Sequence, residues 1–198
     1  MNAVRRPVEV LIAFMLLLVT SPIVATAACL IVAFDGGPAI HRRRVVGVHG
    51  KEFDAFKLRT MRVDADAWLD ARPELLEDFQ GRYKLDNDPR ITPVGRTIRR
   101  WSIDELPQLL NVLSGQMSLV GPRIFHPSEL GQYGKDAPEI LSVPPGITGL
   151  WQVSGRQELD RASRIALDLA YVRDRSLRRD FVILMKTFPA VIGGQGAR

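Results

Sequence analysis

A long uncharged segment near the N-terminus restricts the possible folds of this chain more than any other feature. Val10 to Phe34 contain no charged side chain. At about 1.5 Å per helical residue, the segment can cross a hydrocarbon core of roughly 30 Å. Ser21-Pro22 lies near its middle, where a proline removes one helical hydrogen bond and bends the helix. The sequence therefore predicts a membrane-embedded helix with a weak point at its centre.

Three interpretations of this segment compete: a straight transmembrane span, a helix-break-helix hairpin that enters and leaves one leaflet, and a cleaved signal peptide. Arginines precede the segment at positions 5–6 and follow it at 42–44. The positive-inside rule places both flanks in the cytoplasm, which a straight span cannot satisfy. A cleavage site at Ala25-Thr26-Ala27 would leave a further apolar run and the triple arginine behind it. The charges and the proline favour the hairpin, with residues 1–36 in the membrane and 37–198 forming a cytoplasmic domain.

The composition indicates one domain that binds acidic partners. A chain of 198 residues can bury a sizeable core, and its net charge is +5. Anionic lipid, nucleotide phosphates and nucleic acid all fit that charge. The single Cys29 excludes an intrachain disulfide.

The pattern after residue 36 predicts a mixed α/β (α+β) domain. Residues 41–61 are typical of two short strands that turn around Gly47 and Gly50. Residues 63–80 predict an amphipathic helix that Pro73 breaks or restarts. Short strands are expected at residues 117–123 and after Trp151, the latter presenting Gln152, Ser154 and Arg156 on one face. Helices at residues 160–174 and 176–189 follow, and the second has the basic and apolar residues of a membrane-surface helix.

The strongest chemical signal lies between Trp101 and Arg123, in W-S-I-D-E-L-P-Q-L-L-N-V-L-S-G-Q-M-S-L-V-G-P-R. Asp104 and Glu105 open an apolar-periodic run, which predicts a helix that ends near Gly115. Ser102 or Asp104 would be its N-cap. The helix N-terminus favours anions, and an ionised aspartate there is a possible nucleophile. Acidic residues are also common there as simple caps, so the pair alone does not establish catalysis.

Several long motifs, in order along the chain, decide between these alternatives: N-D-P-R-I-T at 87–92, G-R-T-I-R-R-W-S-I-D-E-L-P-Q-L-L-N-V-L at 95–113, M-S-L-V-G-P-R at 117–123 and P-G-I-T-G-L-W-Q-V-S-G-R at 145–156. Together they resemble the bacterial sugar transferase family, the monotopic polyprenyl-phosphate phosphoglycosyl transferases. The resemblance extends from the apolar N-terminus to about residue 187. In that family the N-terminal segment is a re-entrant membrane helix broken at a Ser-Pro pair.

The resemblance implies an enzyme that transfers a sugar-1-phosphate from a UDP-sugar to undecaprenyl phosphate and releases UMP. Asp104 would be the nucleophile that forms a phosphosugar intermediate, and Glu105 would hold Mg²⁺. The sequence K-L-R-T-M at 57–61 matches the family's K-F-R-T-M. Candidate residues for binding substrate or phosphate are Lys57, Arg59, Arg90, Arg123, Gln152 and Arg156. Two motifs depart from the family: Q-x-R-x-G is R-R-V-V-G at 43–47, and P-R-P ends in Ile124.

A second class of function is a non-enzymatic, membrane-bound module that binds acidic partners through a basic surface. For nucleic acid, such a module should interleave aromatic side chains with a basic stripe or carry a reading helix, and the sequence has neither. We therefore expect no nucleic acid partner. The expected location is the bacterial inner membrane, with membrane lipid around the hairpin and the catalytic domain on the cytoplasmic face. A homo-oligomer stays possible.

Overall fold

The computed structural model describes residues 4–82, 85, 87–155 and 159–192, with the side chains of 78, 80–82 and 190–192 excepted. The helices and strands, in chain order, are α1 (Arg5–Asp35), β1 (Ile40–Val46), β2 (Glu52–Leu58), α2 (Ala65–Asp70), α3 (Pro73–Arg82), α4 (Pro93–Arg100), α5 (Leu109–Leu113), β3 (Ser118–Val120), α6 (Ala137–Ile140), β4 (Gly146–Thr148), α7 (Arg161–Arg173) and α8 (Leu177–Ile192). Longer 3₁₀ segments occupy Ile103–Gln108 and Pro127–Asp136, and short ones Val48–Gly50 and Trp151–Val153. The predicted mixed class is confirmed.

The apolar N-terminal segment forms one helix, α1, which stays helical through Pro22. Pro22 has no N–H to donate to the carbonyl of Leu18, four residues earlier. The hydroxyl of Ser21 donates to that carbonyl instead, at 2.8 Å, so the acceptor that the proline leaves free is satisfied. The expected separation into two helices at Ser21-Pro22 is therefore not seen in the hydrogen-bonding pattern.

Both halves of α1 pack against the rest of the chain. Ala13, fully buried, joins a core that contains Val45 of β1 and Tyr171 of α7. Ile31, also fully buried, packs with Leu58 of β2 in a second cluster. The opposite side of α1 is exposed and apolar, with exposed fractions of 37 % or more at positions that include Leu11, Phe14, Leu18, Val19 and Val32. An apolar surface of this kind indicates a membrane or a partner rather than water.

The predicted hairpin is confirmed, and a side chain protects its outer edge. β1 and β2 pair antiparallel in the register Ile40↔Leu58 to Val46↔Glu52. Asn111 of α5 bonds to the free edge of β2: its amide oxygen accepts from the Phe56 N–H at 3.0 Å, and its nitrogen donates to the Asp54 carbonyl at 2.8 Å. An exposed sheet edge can pair with a strand of another chain. These two hydrogen bonds occupy part of the edge of β2 and attach α5 to that strand.

The second sheet confirms the strand predicted within residues 117–123, which is β3, but not the strand expected after Trp151. β3 pairs in parallel with β4, in the register Ser118↔Gly146 and Val120↔Thr148. The strand expected after Trp151 is wrong, because Trp151–Val153 is a 3₁₀ turn and Gln152 therefore lies on no strand. The observed strand, β4, lies before Trp151 in the chain and begins at Gly146. A Cβ on Gly146 would lie 2.1 Å from the Gly121 nitrogen. Only a residue without a side chain allows that backbone approach.

The remaining helices follow local signals. Pro73 begins α3, as expected of a proline in a first turn, and separates it from α2. Asp160 caps α7, its carboxylate accepting from the Ser163 N–H at 2.7 Å. α8 runs past Pro189 to Ile192, further than predicted. Its exposed apolar side chains include Phe181, 62 % exposed, and Met185, 55 % exposed, which share one helical face.

Candidate active site

Asp104 and Glu105 lie in the first turn of the 3₁₀ segment Ile103–Gln108, which runs directly into α5. The prediction that the acidic pair opens a helix is confirmed, and so is its end, because α5 finishes at Leu113 and Gly115 has φ +84. Of the two predicted N-cap residues, Ser102 occupies the N-cap position and Asp104 does not. Ser102 adopts a left-handed conformation (φ 54), and its side chain caps no helix N–H in the described part of the chain. Asp104 lies inside the segment rather than before it.

Lys57 of β2 lies against both carboxylates. Its Nζ is 2.7 Å from Glu105 Oε1 and 3.8 Å from Asp104 Oδ2. Burial raises the pKa of Asp104 above its usual range, and nearby Glu105 raises it further, while Lys57 and Arg99 oppose that shift. Asp104 is therefore a buried carboxylate that is more basic than usual and is kept close to cations. This is the environment in which a carboxylate can act as a nucleophile on a phosphate group.

Arg99, at the end of α4, is a second cation near this pair and is absent from the residues predicted to bind phosphate. Its Nε donates to Thr60 Oγ1 at 2.7 Å. Burial lowers the pKa of Arg99, and the negative charges of Asp104 and Asp88 raise it. Its position in the last turn of a strongly basic helix, five residues before Asp104, was the available signal.

Arg59 and Arg90 are buried in contacts with the protein itself. Arg59 donates to the carbonyls of Gly36 and Pro38, at the end of α1, and to that of Met61. Arg90 pairs with buried Asp88 at 2.7 Å and lies 4.9 Å from the Phe79 ring. These contacts join α1 to β2 and stabilise the loop at 87–90. A phosphate-binding role for either arginine stays a prediction.

Arg123 and Gln152 belong to a neighbouring region. The guanidinium of Arg123 is 3.6 Å from Glu129 Oε2 and 5.7 Å from the centre of the Trp151 ring. The side-chain nitrogen of Gln152 donates to the Ile147 carbonyl at 3.0 Å. Arg156, also predicted to bind phosphate, lies outside the described residues. The structure thus brings Lys57 to the acidic pair and places Arg123 beside Glu129 and Trp151.

Asp168 of α7 supports the backbone that presents Arg123. It is 1 % exposed and accepts from the Arg123 N–H at 3.2 Å. Burial raises the pKa of Asp168 to about 7, although that hydrogen bond and the Arg123 charge oppose the shift. No pattern in the sequence points to Asp168, because 45 positions along the chain separate it from Arg123.

An apolar groove of about 360 Å³ lies between α1 and residues that precede the acidic pair in the chain. Pro22, Ala27 and Leu30 line one wall. Thr97 of α4 and Ile103, the residue before Asp104, line the other. The groove therefore connects the exposed apolar face of α1 with the start of the 3₁₀ segment.

The donor chemistry at the acidic pair fits Mg²⁺. Among the described residues, no group of three or more His, Cys, Asp or Glu side chains could hold a metal alone. Mg²⁺ usually binds through one or two carboxylates, substrate phosphates and water rather than in a cage of protein ligands. Glu105, whose side chain is 38 % exposed, and the adjoining Asp104 match that requirement.

Comparisons with known proteins show which family this chain is similar to. The model of the bacterial sugar transferase family matches residues 1–194. The chain is 42 % identical over 197 residues to the exopolysaccharide production protein ExoY of Rhizobium meliloti, covering 98 % of this chain and 87 % of that protein. It is 43 % identical over 201 residues to the undecaprenyl-phosphate galactose phosphotransferase of Salmonella typhimurium, covering 98 % of this chain and 41 % of that protein. It is 39 % identical to the UDP-glucose:undecaprenyl-phosphate glucose-1-phosphate transferase of Caulobacter vibrioides, covering 95 % of this chain and 69 % of that protein.

Proposed function

This chain belongs to the bacterial sugar transferase family and is a sugar phosphotransferase, and on that premise we propose that it transfers a sugar-1-phosphate from a UDP-sugar to undecaprenyl phosphate and releases UMP. The observation that carries the proposal is the buried Asp104 carboxylate, with Glu105 beside it and Lys57 3.8 Å away. The product would start the assembly of an exopolysaccharide or another glycoconjugate.

The first step is attack by an Asp104 carboxylate oxygen on the β-phosphorus of the donor. A bond forms between that oxygen and phosphorus, the bond from phosphorus to the bridging oxygen breaks, and its electron pair leaves with UMP. Lys57 neutralises charge on the phosphoryl oxygens, as phosphoryl transfer requires. Glu105, with Asp104, would hold Mg²⁺, which supplies further positive charge to the phosphates when bound. The result is a phosphosugar joined to Asp104.

In the second step an oxygen of the lipid phosphate attacks the same phosphorus. The new bond makes a lipid-linked pyrophosphate, the bond to Asp104 breaks, and the carboxylate is restored. The groove beside α1 suits the hydrocarbon chain of the acceptor, because it joins the apolar face of α1 to Ile103. Splitting one displacement into two steps lets a water-soluble donor and a membrane lipid react in turn at one site.

The contacts of α1 support a re-entrant path through one leaflet. Arg5, near its start, ion-pairs with Asp180 of α8 at 2.9 Å. Asp35, at its end, accepts from the Thr92 hydroxyl at 2.7 Å. Both ends thus contact the domain that carries the acidic pair, and a full span would separate one of them from it. Exposed loops of such a domain cannot lie in hydrocarbon. The domain and both ends of α1 would then face the cytoplasm.

Labelling of single cysteines tests this path, with Cys29 replaced by serine. Val4 and Lys51 are exposed and lie on the two sides of the apolar segment. In intact cells a membrane-impermeant maleimide should label neither V4C nor K51C, and after permeabilisation it should label both. Labelling of one position from outside would establish a full span and end the re-entrant proposal.

Intact-mass measurement tests the chemistry. The purified full chain is mixed with a panel of UDP-sugars and Mg²⁺ in the absence of lipid. Wild type should gain one phosphosugar on Asp104 and release UMP, and Asp104→Asn should gain none. Glu105→Gln should form the adduct slowly, because the metal is held less well. An adduct on Glu105 would exchange the two roles. Rapid turnover with lipid but no adduct would favour direct transfer between the substrates. If the chain were instead a non-enzymatic binding module, no UDP-sugar would release UMP. None of the comparisons supports that alternative.

A further inference from the structure

Arg43 of β1 lies on the face of the hairpin that carries Lys57. In the antiparallel register His41 pairs with Lys57 and Arg43 with Ala55, and directly opposite residues project to the same side. Ala55 is 1 % exposed and small, which leaves room for a long side chain opposite it. Arg43 is therefore diagonal to the lysine of the acidic pair, on the neighbouring strand, within reach of a ligand that Lys57 also contacts.

Arg43 and Arg123 converge on a single carboxylate. Arg43 Nη2 is 3.1 Å from Glu129 Oε1, and Arg123 Nη2 is 3.6 Å from Glu129 Oε2. Two guanidinium groups thus share one negative charge. Their side chains remain 34 % and 29 % exposed, respectively, so a ligand can reach both.

The electrostatics connect this pair of arginines to the acidic pair. Burial lowers the pKa of Arg43 and the Arg123 charge lowers it further, while Glu129 and Glu105 raise it. Arg43 therefore lies within electrostatic reach of both Glu105 and Arg123. On the far side, Arg123 and Arg164 each lie over the Trp151 ring, at 5.7 and 5.5 Å. An anion bound beside the guanidinium groups of Arg43 and Arg123 would offset this positive charge.

We propose that Arg43 and Arg123 form an anion subsite for the nucleotide phosphate of the donor, the group that leaves as UMP. The proposal rests on the proposed function, in which Lys57 serves the phosphate that Asp104 attacks. When the bond to the bridging oxygen breaks, its electron pair adds negative charge to the departing phosphate. Two guanidinium groups are suited to receive that charge, because each can bind phosphate oxygens through two parallel hydrogen bonds. Glu129 orients both guanidinium groups before the ligand arrives.

Binding of UMP and of uridine to the full chain tests this subsite without any need for catalysis. Arg43→Gln removes the charge and restores the glutamine of the family's Q-x-R-x-G pattern. The matched control is Arg44→Gln, which makes the same change one residue along, where the arginine pairs with Glu52 and Asp54 on the solvent side. R43Q should weaken UMP binding at least tenfold and change uridine binding less than twofold. R44Q should change neither by more than twofold.

Three outcomes would overturn the subsite: R43Q binds UMP as tightly as wild type, R43Q loses UMP and uridine binding equally, or R44Q has the same effect as R43Q. If R43Q fails to fold, Arg43→Lys keeps the charge without the planar fork and should still weaken UMP binding at least threefold. Unchanged binding by that variant would also overturn the subsite. Failure of the proposed function is distinguishable, because the wild type itself would then neither bind UMP nor form the adduct.

Discussion

Asn111 offers a quantitative test of how the acidic pair is held against Lys57. It is fully buried, and its side chain makes three hydrogen bonds: it accepts from the Phe56 N–H and donates to the Asp54 carbonyl and to Gln116 Oε1, both at 2.8 Å. Asn111→Asp changes one nitrogen to oxygen and little else. The acceptor bond survives, but an ionised carboxylate would face two acceptor oxygens at the positions where the amide donated.

The carboxyl group that N111D introduces should therefore keep its proton in the folded state. The protonated acid can donate to one of the two acceptors, so one bond is lost, at about 1 kcal/mol. A buried carboxyl group has its pKa raised by about 3 units or more from the unfolded value of about 3.9. Keeping the proton then costs about 1.4 kcal/mol per pH unit above that value. The expected loss in the free energy of unfolding is about 2.5 kcal/mol at pH 5 and about 5 kcal/mol at pH 7.5.

Urea unfolding in detergent micelles, followed by tryptophan fluorescence at both pH values, measures these differences relative to wild type. Asn87→Asp is the control, since it makes the same substitution at an exposed position, where the carboxylate can ionise in water, and it should cost less than about 0.5 kcal/mol at either pH. UMP release should fall in N111D as well, because α5 follows the acidic pair and Asn111 fixes it to the strand of Lys57. A loss below about 1.5 kcal/mol at pH 7.5, or one independent of pH, would refute the reasoning.

Three further predictions follow from packing and burial. Gly95→Ala places a Cβ 2.0 Å from the Thr60 carbonyl oxygen and should lower the free energy of unfolding in urea by about 3 kcal/mol or more. The control is Gly131→Ala, whose Cβ would have no atom within 4 Å and should lower it by less than about 0.5 kcal/mol. Because burial raises the pKa of Asp168 to about 7, that group keeps its proton in the folded state and loses it in the unfolded chain above about pH 4, so its contribution to stability falls as pH rises to 7. Asp168→Asn should remove this decrease in the free energy of unfolding with pH. If the free energy of unfolding of the variant changed with pH as that of wild type does between pH 5 and 7.5, the prediction would be contradicted. Thr97→Trp fills the groove beside α1 and should raise KM for undecaprenyl phosphate at least fivefold, while adduct formation without lipid stays unchanged; an unaltered KM would remove the groove from the acceptor site.

Local signals in the sequence determined much of the framework. The hairpin, the start of α3 at Pro73 and the cap of α7 at Asp160 depend on residues within a few positions of one another. The same holds for the acidic pair at the start of a helical segment. Turn residues, prolines and caps act on neighbouring backbone groups, so their effects can be predicted from spacing alone.

Other features depend on tertiary contacts. Serine is a common N-cap residue, and Ser102 occupies the N-cap position, but it adopts φ 54 and its side chain makes no cap hydrogen bond in the described part of the chain. The segment after it is a 3₁₀ helix that continues into α5. Packing against β2 and α1 replaces the local capping preference there. Ser21 shows the same limit, because the sequence reveals the proline beside it but not that its hydroxyl completes the helix through Pro22.

The electrostatic arrangement of the site was decided by the fold alone. Arg59, Arg90 and Arg123 are chemically alike in the sequence, yet the first two are buried against carbonyls and Asp88 while Arg123 remains 29 % exposed. Arg43 meets Glu129 across 86 residues of chain. Residue type fixes which charges are available, and local periodicity fixes which face of a strand or helix carries them. Which charges share a cleft depends on how distant elements pack, and only the tertiary structure contains that information.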